Sequence, residues 1–197
     1  MDIKAPRGVR DILPDESWKW AHVLNVTAKT MADFGHSEVH LPLFEQTELF
    51  SRGVGDTTDI VEKEMYTFLD RGDRSITLRP EATAGMVRAA LEHNLCGQNA
   101  SSKLWCWGPM FRYERPQKGR YRQFYQIDAE CLGLAGPVAD VETIALSAEI
   151  FRRLGLKNLE VVLNSVGCPK CRPQYREVLV NYFTSRKESL CETCIGR

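Results

Sequence analysis

The sequence predicts an α+β fold in which helices flank an antiparallel sheet. Two observations support this fold class. The predicted strands follow one another as hairpins, and the long helices stand beside those hairpins without the strict strand–helix alternation of parallel sheets. With 197 residues, the chain is long enough to bury one core and to carry a small appendage.

Turn residues and apolar periodicity divide the chain into elements. A looped lead-in through Pro14 precedes a helix for which Asp15 is the expected N-cap and Gly35 the residue just past the end. A polar loop that contains Gly55 and Asp59 follows the second helix. The predicted strands are 38–41, 65–69, 75–78, 104–113, 121–132 and 159–163, and the later helices are 44–52, 80–94, 138–154 and 172–183.

Composition excludes several classes of protein. Lysine plus arginine equals aspartate plus glutamate at 26 each, which argues against non-specific coating of nucleic acid, because such binding depends on bulk phosphate neutralisation. No apolar run approaches the roughly 20 residues of a membrane span, and the first residues lack the apolar segment of a signal peptide. We therefore expect a cytosolic protein without a membrane partner, in which the seven cysteines stay reduced.

Residues 111–130 form the most distinctive segment. If residues 111–113 and 121–130 are paired strands, Arg112, Gln126 and Glu130 share one face of the sheet. Guanidinium groups on rigid strands suit polyphosphates, and aromatic rings can stack a nucleobase. The cationic residues are Arg112, Arg115, Lys118, Arg120 and Arg122, and the aromatic ones are Phe111, Tyr113, Tyr121, Phe124 and Tyr125. Charge and aromatic content alone fit an exposed, solvated hairpin equally well.

The order of residues in this segment resembles motif 2 of the class II aminoacyl-tRNA synthetases, and RPQKGRYRQF is typical of the histidine-specific members. Three other segments are similar to that family in order and spacing. The helix–strand unit that ends at Pro42 resembles motif 1, which builds the dimer interface in the family. PRGVRDILP at 6–14 resembles the amino-terminal signature. LRPEATAG at 78–85 resembles the amino-acid-binding turn, with Ala82 where the family usually has glycine.

The resemblance implies a reaction and a set of residue roles. Histidine and ATP, with Mg²⁺, would form histidyl-adenylate, and the histidyl group would pass to tRNA(His). ATP would be bound by Arg112, Glu114, Arg120 and Phe124, with Arg112 as the catalytic contact to the α-phosphate. Histidine would be bound by Glu81, Thr83, Gln126 and Glu130, and the tRNA acceptor end by Gln117 and Arg122. For Glu81, a simpler role as a carboxylate at the start of a helix explains the residue as well.

Four cysteines form a separate pattern near the carboxy-terminal end. Cys168, Cys171, Cys191 and Cys194 make two C-x2-C pairs, and their separation lies within the range of tetrahedral zinc sites. We expect a structural Zn²⁺ at these four residues, with reduced thiols at the two ends of a helix as the alternative. The predicted domains are a catalytic core at 1–165 and the start of an insertion at 166–197.

The resemblance also implies parts that are absent from this sequence. Family members continue beyond the position of Arg197 with a histidine-specific segment, motif 3 and an anticodon-binding domain. We therefore expect this chain to be truncated and its fold to be incomplete at the carboxy-terminal side. Alone, it should bind ATP weakly and be poorly active or inactive. Two other functions compete: a synthetase-like regulatory subunit of ATP phosphoribosyltransferase or a histidine sensor, and a small zinc-dependent RNA-binding module. The intact RPQKGRYRQF string favours the enzyme over the regulatory subunit. The RNA-binding module rests on the cysteines and the basic loop only, and leaves residues 1–100 unexplained.

Overall fold

The computed structural model describes residues 3–54, 64–97, 100–164 and 167–195. Two compact units divide the chain, residues 1–157 and residues 158–197. The predicted polar loop with Gly55 and Asp59 lies outside the described residues. The domain boundary that the sequence suggested, between residues 165 and 166, stays a prediction.

The first unit contains helices and hairpins in the predicted order. Its elements are α1 (Pro14–Asp33), β1 (Ser37–Glu38), β2 (Phe44–Gln46), α2 (Thr47–Val54), β3 (Tyr66–Leu69), β4 (Ser75–Leu78), α3 (Thr83–Glu92), β5 (Ser102–Phe111), β6 (Gln123–Leu132) and α4 (Pro137–Arg153). The strands form two sheets in the orders β1–β5–β6 and β2–β4–β3. All pairings are antiparallel except the two-residue contact of β1 with β5, so the predicted α+β class is confirmed.

The β5–β6 hairpin separates two apolar clusters, one on each of its faces. Leu104, Cys106 and Met110 of β5 pack with Ala82, Met86 and Ala90 from the start and body of α3. On the opposite face, Trp105 packs with Met31 of α1 and Leu146 of α4. Because successive residues of a strand point to opposite faces, one hairpin serves both clusters. The face against α3 also carries the polar residues of the candidate site.

Two predicted elements in the first third of the chain differ from the structure. The expected strand at 38–41 is reduced to β1, although the amide of Val39 still donates to the carbonyl of Trp105. The carbonyls of Leu41 and Pro42 instead accept hydrogen bonds from the side chain of Arg79. The expected helix at 44–52 was wrong in its first residues, because Phe44–Gln46 pairs with β4 and the helix begins at Thr47.

Two helices begin at positions other than the predicted ones. Asp15 is not the N-cap of α1: the helix begins at Pro14, Leu13 occupies the cap position, and no side chain caps the first amides. Proline suits a first position because its φ is helical and it has no amide hydrogen to satisfy. Likewise, α3 begins at Thr83 and not at Pro80.

The second unit is a short helical segment. It contains α5 (Arg172–Thr184), a 3₁₀ turn (Lys187–Ser189) and α6 (Glu192–Ile195). The predicted strand at 159–163 was wrong: these residues form no ladder with any described strand. No described residue of α5 is buried, so this unit, taken by itself, has very little apolar core.

Candidate active site

The register of the β5–β6 hairpin places three polar side chains in a row. Gly108 pairs with Gln126, Cys106 with Asp128, and Leu104 with Glu130. Directly opposed residues and their second neighbours share a face, so Gln126, Asp128 and Glu130 all lie on the face that packs against α3. The expectation that Gln126 and Glu130 share a face is confirmed.

The turn before α3 closes the same region from the other side. The hydroxyl of Thr83 donates a hydrogen bond to Oε1 of Glu130 over 2.7 Å. Oε1 of Glu81 accepts the backbone amide of Ala84 over 3.0 Å, which satisfies one of the amides left free at the start of a helix. Three of the four residues predicted to bind histidine therefore meet where α3 approaches β6. Glu81 also has the alternative role considered for it, that of a carboxylate at the start of a helix.

Ala82 occupies the turn without strain. Its φ is −106° and its side chain is fully buried in the α3 cluster. A glycine here would be required only for a positive φ. The departure from the usual family pattern is therefore compatible with the local backbone.

Asp128 is a site residue that the sequence analysis missed. Its pKa is raised to about 6, first because of burial and then because of the negative charges of Glu81 and Glu130. Its Oδ2 atom is shielded from solvent and accepts no hydrogen bond within the described structure. The strand alternation that paired Gln126 with Glu130 also predicts a shared face for Asp128, and that signal was sufficient to find it.

Arg79 is a second residue that was missed. Its side chain is almost fully buried, and its guanidinium donates to the carbonyls of Pro109 over 2.9 Å and of Leu41 over 3.1 Å. Burial lowers the pKa of Arg79, and Cys106 and Asp128 oppose that effect. Gly108 makes room for this side chain, because a Cβ atom there would collide with the guanidinium. The sequence offers no local pattern that separates this arginine from exposed ones.

Arg112 and Phe124 lie together at the end of the hairpin. Nε of Arg112 donates to the carbonyl of Pro80 over 2.9 Å, and the guanidinium carbon lies 5.0 Å from the centre of the Phe124 ring. This contact holds the guanidinium beside an aromatic face. Two residues that were predicted to bind ATP are therefore neighbours, joined to the turn that carries Glu81.

The remaining predicted contacts lie in the loop between β5 and β6. Arg120 forms an ion pair with Glu114, with 3.3 Å between Nη1 and Oε2. The guanidinium carbon of Arg122 lies 3.9 Å from the ring centre of Tyr113, and its Nε donates to the carbonyl of Glu114. Gln117 is exposed at the tip of the loop. The loop is thus ordered partly by Arg120 and Arg122, the two arginines predicted to contact ATP and tRNA.

Gly8 holds Arg122 in this arrangement. Its carbonyl accepts the amide of Arg122 over 2.6 Å. Gly8 has a φ of +89°, and a Cβ atom on it would lie 2.7 Å from Cγ of Arg122. Only glycine can adopt this positive φ and also leave room for the side chain of Arg122 without strain. The amino-terminal segment therefore packs directly against the end of the hairpin.

Tyr125 is one of the aromatic residues considered for nucleobase stacking, and it lies away from the candidate site. Tyr125 lies on the opposite face of the hairpin, where its ring centre is 4.8 Å from that of Trp20 and 6.4 Å from that of Trp107. Phe111 shares that face by strand alternation. Among the aromatic residues named for this segment, Phe124 lies on the face of the candidate site.

The four cysteines of the second unit form two close pairs. The sulfur atoms of Cys168 and Cys171 are 3.5 Å apart, and those of Cys191 and Cys194 are also 3.5 Å apart. Each separation is near the ~3.8 Å edge of a tetrahedron with metal–sulfur bonds of about 2.3 Å. Within the described residues, however, no three potential ligands come together at one metal position. Within each pair the two thiols are therefore close together, and the four-cysteine zinc site stays a prediction.

Comparison with known proteins identifies relatives along the whole chain. A family model described as Histidyl-tRNA synthetase matches residues 8–170. The histidine–tRNA ligase of Halothermothrix orenii is 53% identical over 197 residues, which is 100% of this chain and 47% of that protein. The corresponding ligase of Moorella thermoacetica is 56% identical over 192 residues, or 98% of this chain and 45% of that protein. The chain thus spans about half the length of these curated relatives.

Two solved structures are also similar. The crystal structure of apo S. aureus histidyl-tRNA synthetase matches with a TM-score of 0.75 and 42% identity, over 99% of this chain and 46% of that one. An ATP phosphoribosyltransferase regulatory subunit/histidyl-tRNA synthetase from Bacillus halodurans C matches with a TM-score of 0.68 and 22% identity, over 80% of this chain and 39% of that one. The second likeness establishes the shared fold alone.

The fold, the cluster of polar side chains between the start of α3 and β6, and these relatives place the chain among the aminoacyl-tRNA synthetases. More narrowly, the chain belongs to the histidyl-tRNA synthetase family. Among the described residues, no helix combines the length and the apolar character needed to cross a membrane.

Proposed function

We propose that the protein to which this chain belongs activates histidine with ATP and transfers the histidyl group to tRNA(His). The observation that carries the proposal is the hydrogen bond between Thr83 and Glu130. It joins the turn before α3 to β6 and brings together, on one surface, residues assigned to the amino acid by resemblance. An amino-acid pocket lined by carboxylates suits a substrate that carries an ammonium group and an imidazole.

In this proposal, each residue around the pocket acts on one part of the amino acid. Glu81 and Thr83 hold the ammonium group, Gln126 contacts the carboxylate side, and Glu130 accepts a proton of the imidazole. Glu130 is already oriented by the hydroxyl of Thr83, so its carboxylate is held toward the pocket before the substrate arrives. Preorganisation of this kind lowers the cost of ordering the site on binding.

Arg112 is the proposed catalytic residue. The carboxylate of histidine is already a nucleophile at neutral pH, so rate acceleration comes from positioning and from charge stabilisation at the α-phosphate. The carbonyl of Pro80 and the ring of Phe124 fix the guanidinium of Arg112. Arg120 is assigned to the γ-phosphate, and Glu114 and Phe124 to the adenine. Mg²⁺ is the expected companion of ATP and neutralises phosphate charge.

We further propose a homodimer formed through the motif 1 region, cytoplasmic localisation, and contact of Gln117 and Arg122 with the acceptor end of tRNA(His). Residues 166–197 would begin an insertion after the catalytic core of residues 1–165. The two cysteine pairs would join at one structural Zn²⁺. Each pair already has a suitable sulfur separation.

Histidine-dependent exchange of labelled pyrophosphate into ATP tests the activation step. The protein to use is the longer gene product, because the chain spans about half the length of its curated relatives. We expect exchange with histidine and background exchange with the other amino acids. The alternative function, a regulatory subunit of ATP phosphoribosyltransferase, predicts no exchange and a histidine-dependent change in the rate of that transferase.

A further inference from the structure

Three carboxylates lie together beside the start of α3, and two of them have hydrogen-bond partners among the described residues. Glu130 accepts the hydroxyl of Thr83, and Glu81 accepts the amide of Ala84. Oδ2 of Asp128 is shielded from solvent and has no hydrogen-bond partner within the described structure. A buried carboxylate oxygen without a donor is costly, so a ligand that donates a hydrogen bond to this atom would be stabilised here.

The charged groups around Asp128 define its electrostatic setting. Glu81 from the turn before α3 and Glu130 from its own strand repel its negative charge, whereas Arg79 and Arg112 attract it. Across the ladder, Cys106 has a pKa raised to about 12 and is a neutral thiol. The described side-chain hydrogen bonds of Arg79 and Arg112 go to backbone carbonyls, those of Pro109, Leu41 and Pro42 for Arg79 and that of Pro80 for Arg112. The pocket thus favours a cation that supplies both a positive charge and a hydrogen-bond donor.

We propose that Asp128 is a further positioning residue of the amino-acid pocket, which accepts a hydrogen bond from the ammonium group of the bound substrate. This inference rests on the proposed histidine-binding function of the same pocket. Glu81 alone offers one acceptor carboxylate beside the helix start, and part of it is committed to Ala84. Asp128 supplies a second carboxylate from β6, so the ammonium group is bound by Glu81 on the helix side and by Asp128 on the sheet side.

The proposal couples substrate binding to a proton. With an apo pKa of about 6, Asp128 is ionised at pH 7.5 and largely protonated at pH 5.5. A bound ammonium stabilises the ionised form and lowers that pKa. Binding at pH 5.5 therefore displaces a proton from Asp128. The affinity contributed by this carboxylate is fully present above pH 6 and is lost progressively as the pH falls from 6 to below the lower pKa of the bound state.

Isothermal titration calorimetry of the longer gene product with histidine measures both effects. Titrations at pH 5.5 and 7.5, each in two buffers of different ionisation enthalpy, give the dissociation constant and the number of protons exchanged. The imidazole of histidine titrates in the same range, so the informative quantity is the difference between wild type and Asp128→Asn. We expect Asp128→Asn to weaken binding about 10- to 100-fold at pH 7.5, as expected for loss of a charge-assisted hydrogen bond.

At pH 5.5 the wild type should release up to about one proton more than Asp128→Asn, because only the wild type carries the titrating carboxyl group. In steady-state exchange the variant should raise the KM for histidine and leave the KM for ATP unchanged. Asp140→Asn, the same substitution in the first turn of α4, is the matched control and should behave as wild type. If Asp128→Asn is not stably folded, Asp128→Ala is the second variant. It should show the same loss of proton release.

The outcomes separate the inference from the function on which it rests. If the wild type does not bind histidine at pH 7.5, the proposed function is wrong and the role of Asp128 is overturned with it. If the wild type binds histidine, and Asp128→Asn binds it within twofold with the same proton count, the positioning role alone is overturned.

Discussion

At the scale of single residues, Arg112 carries the catalytic assignment. Arg112→Ala in the longer gene product should lower the rate of histidine-dependent pyrophosphate exchange by about 100- to 1,000-fold, the usual cost of removing one preorganised charge stabiliser. The contacts of Arg112 with Pro80 and Phe124 fix its position, so Arg112→Lys should restore little. Arg71→Ala in the exposed β3–β4 turn is the matched control. Normal exchange by Arg112→Ala would contradict the assignment.

Thr83 should affect substrate binding more than turnover. Its hydroxyl holds Glu130, and Thr83→Val removes this donor while it keeps the branched shape of the side chain. We expect the KM for histidine to rise about tenfold, as for the loss of one hydrogen bond to a charged group. Thr83→Ser keeps the hydroxyl and should remain near wild type in the same exchange assay. Equal KM values for the valine and serine variants would refute the role.

The sequence predicted most of the residues of this pocket, and physical reasons explain those it missed. Period-two alternation placed Gln126 and Glu130 on one face, and the same rule covers Asp128. Arg79 and Gly8 are different, because their roles depend on approaches between distant segments: Arg79 to Pro109 and Gly8 to Arg122. No local pattern encodes such contacts.

At the scale of elements, a hydroxyl network joins β3 and β4 to the start of α2. The buried hydroxyl of Thr77 in β4 lies 2.8 Å from that of Thr67 in β3 and 2.9 Å from that of Thr47 at the start of α2. Thr77→Val should lower the free energy of unfolding by about 1 kcal/mol, since the buried hydroxyls lose a shared partner. Thermal unfolding should show a decrease of about 2–4 °C for a chain of this size.

Ser75→Ala is the comparison for that variant. Ser75 also contacts Thr47, but it is exposed, and water can replace its hydroxyl. We expect a change in unfolding temperature well below that of Thr77→Val. A larger effect at Ser75 than at Thr77 would show that the buried network does not stabilise the sheet.

Prediction of the elements succeeded where the apolar residues recur regularly over a long segment, as in α1, α4 and the β5–β6 hairpin. It was wrong where tertiary contacts override local preference. Phe44–Gln46 forms a strand because it pairs with β4, and the residues after β1 leave their ladder because Arg79 takes the carbonyls of Leu41 and Pro42. Residues 159–163 have the composition of a strand, but no described strand pairs with them.

At the scale of the whole molecule, the proposed Zn²⁺ site concerns the stability of the second unit. Because α5 buries no described residue, the proposed metal would stabilise a short segment that has little apolar core of its own. Protein purified without chelator should contain about one zinc per chain by elemental analysis. Cys168→Ser should lower that content, and Cys96→Ser, in the first unit, should not. Zinc-free wild-type protein would refute the site.

The central claim is that the protein to which this chain belongs charges tRNA(His) with histidine. Its most direct test is aminoacylation by the longer gene product, with ATP, Mg²⁺, labelled histidine and tRNA(His), followed by recovery of label in tRNA. We expect ATP-dependent attachment of histidine and no attachment of other amino acids. Absence of charging by a folded protein that binds histidine, or charging with a different amino acid, would contradict the account.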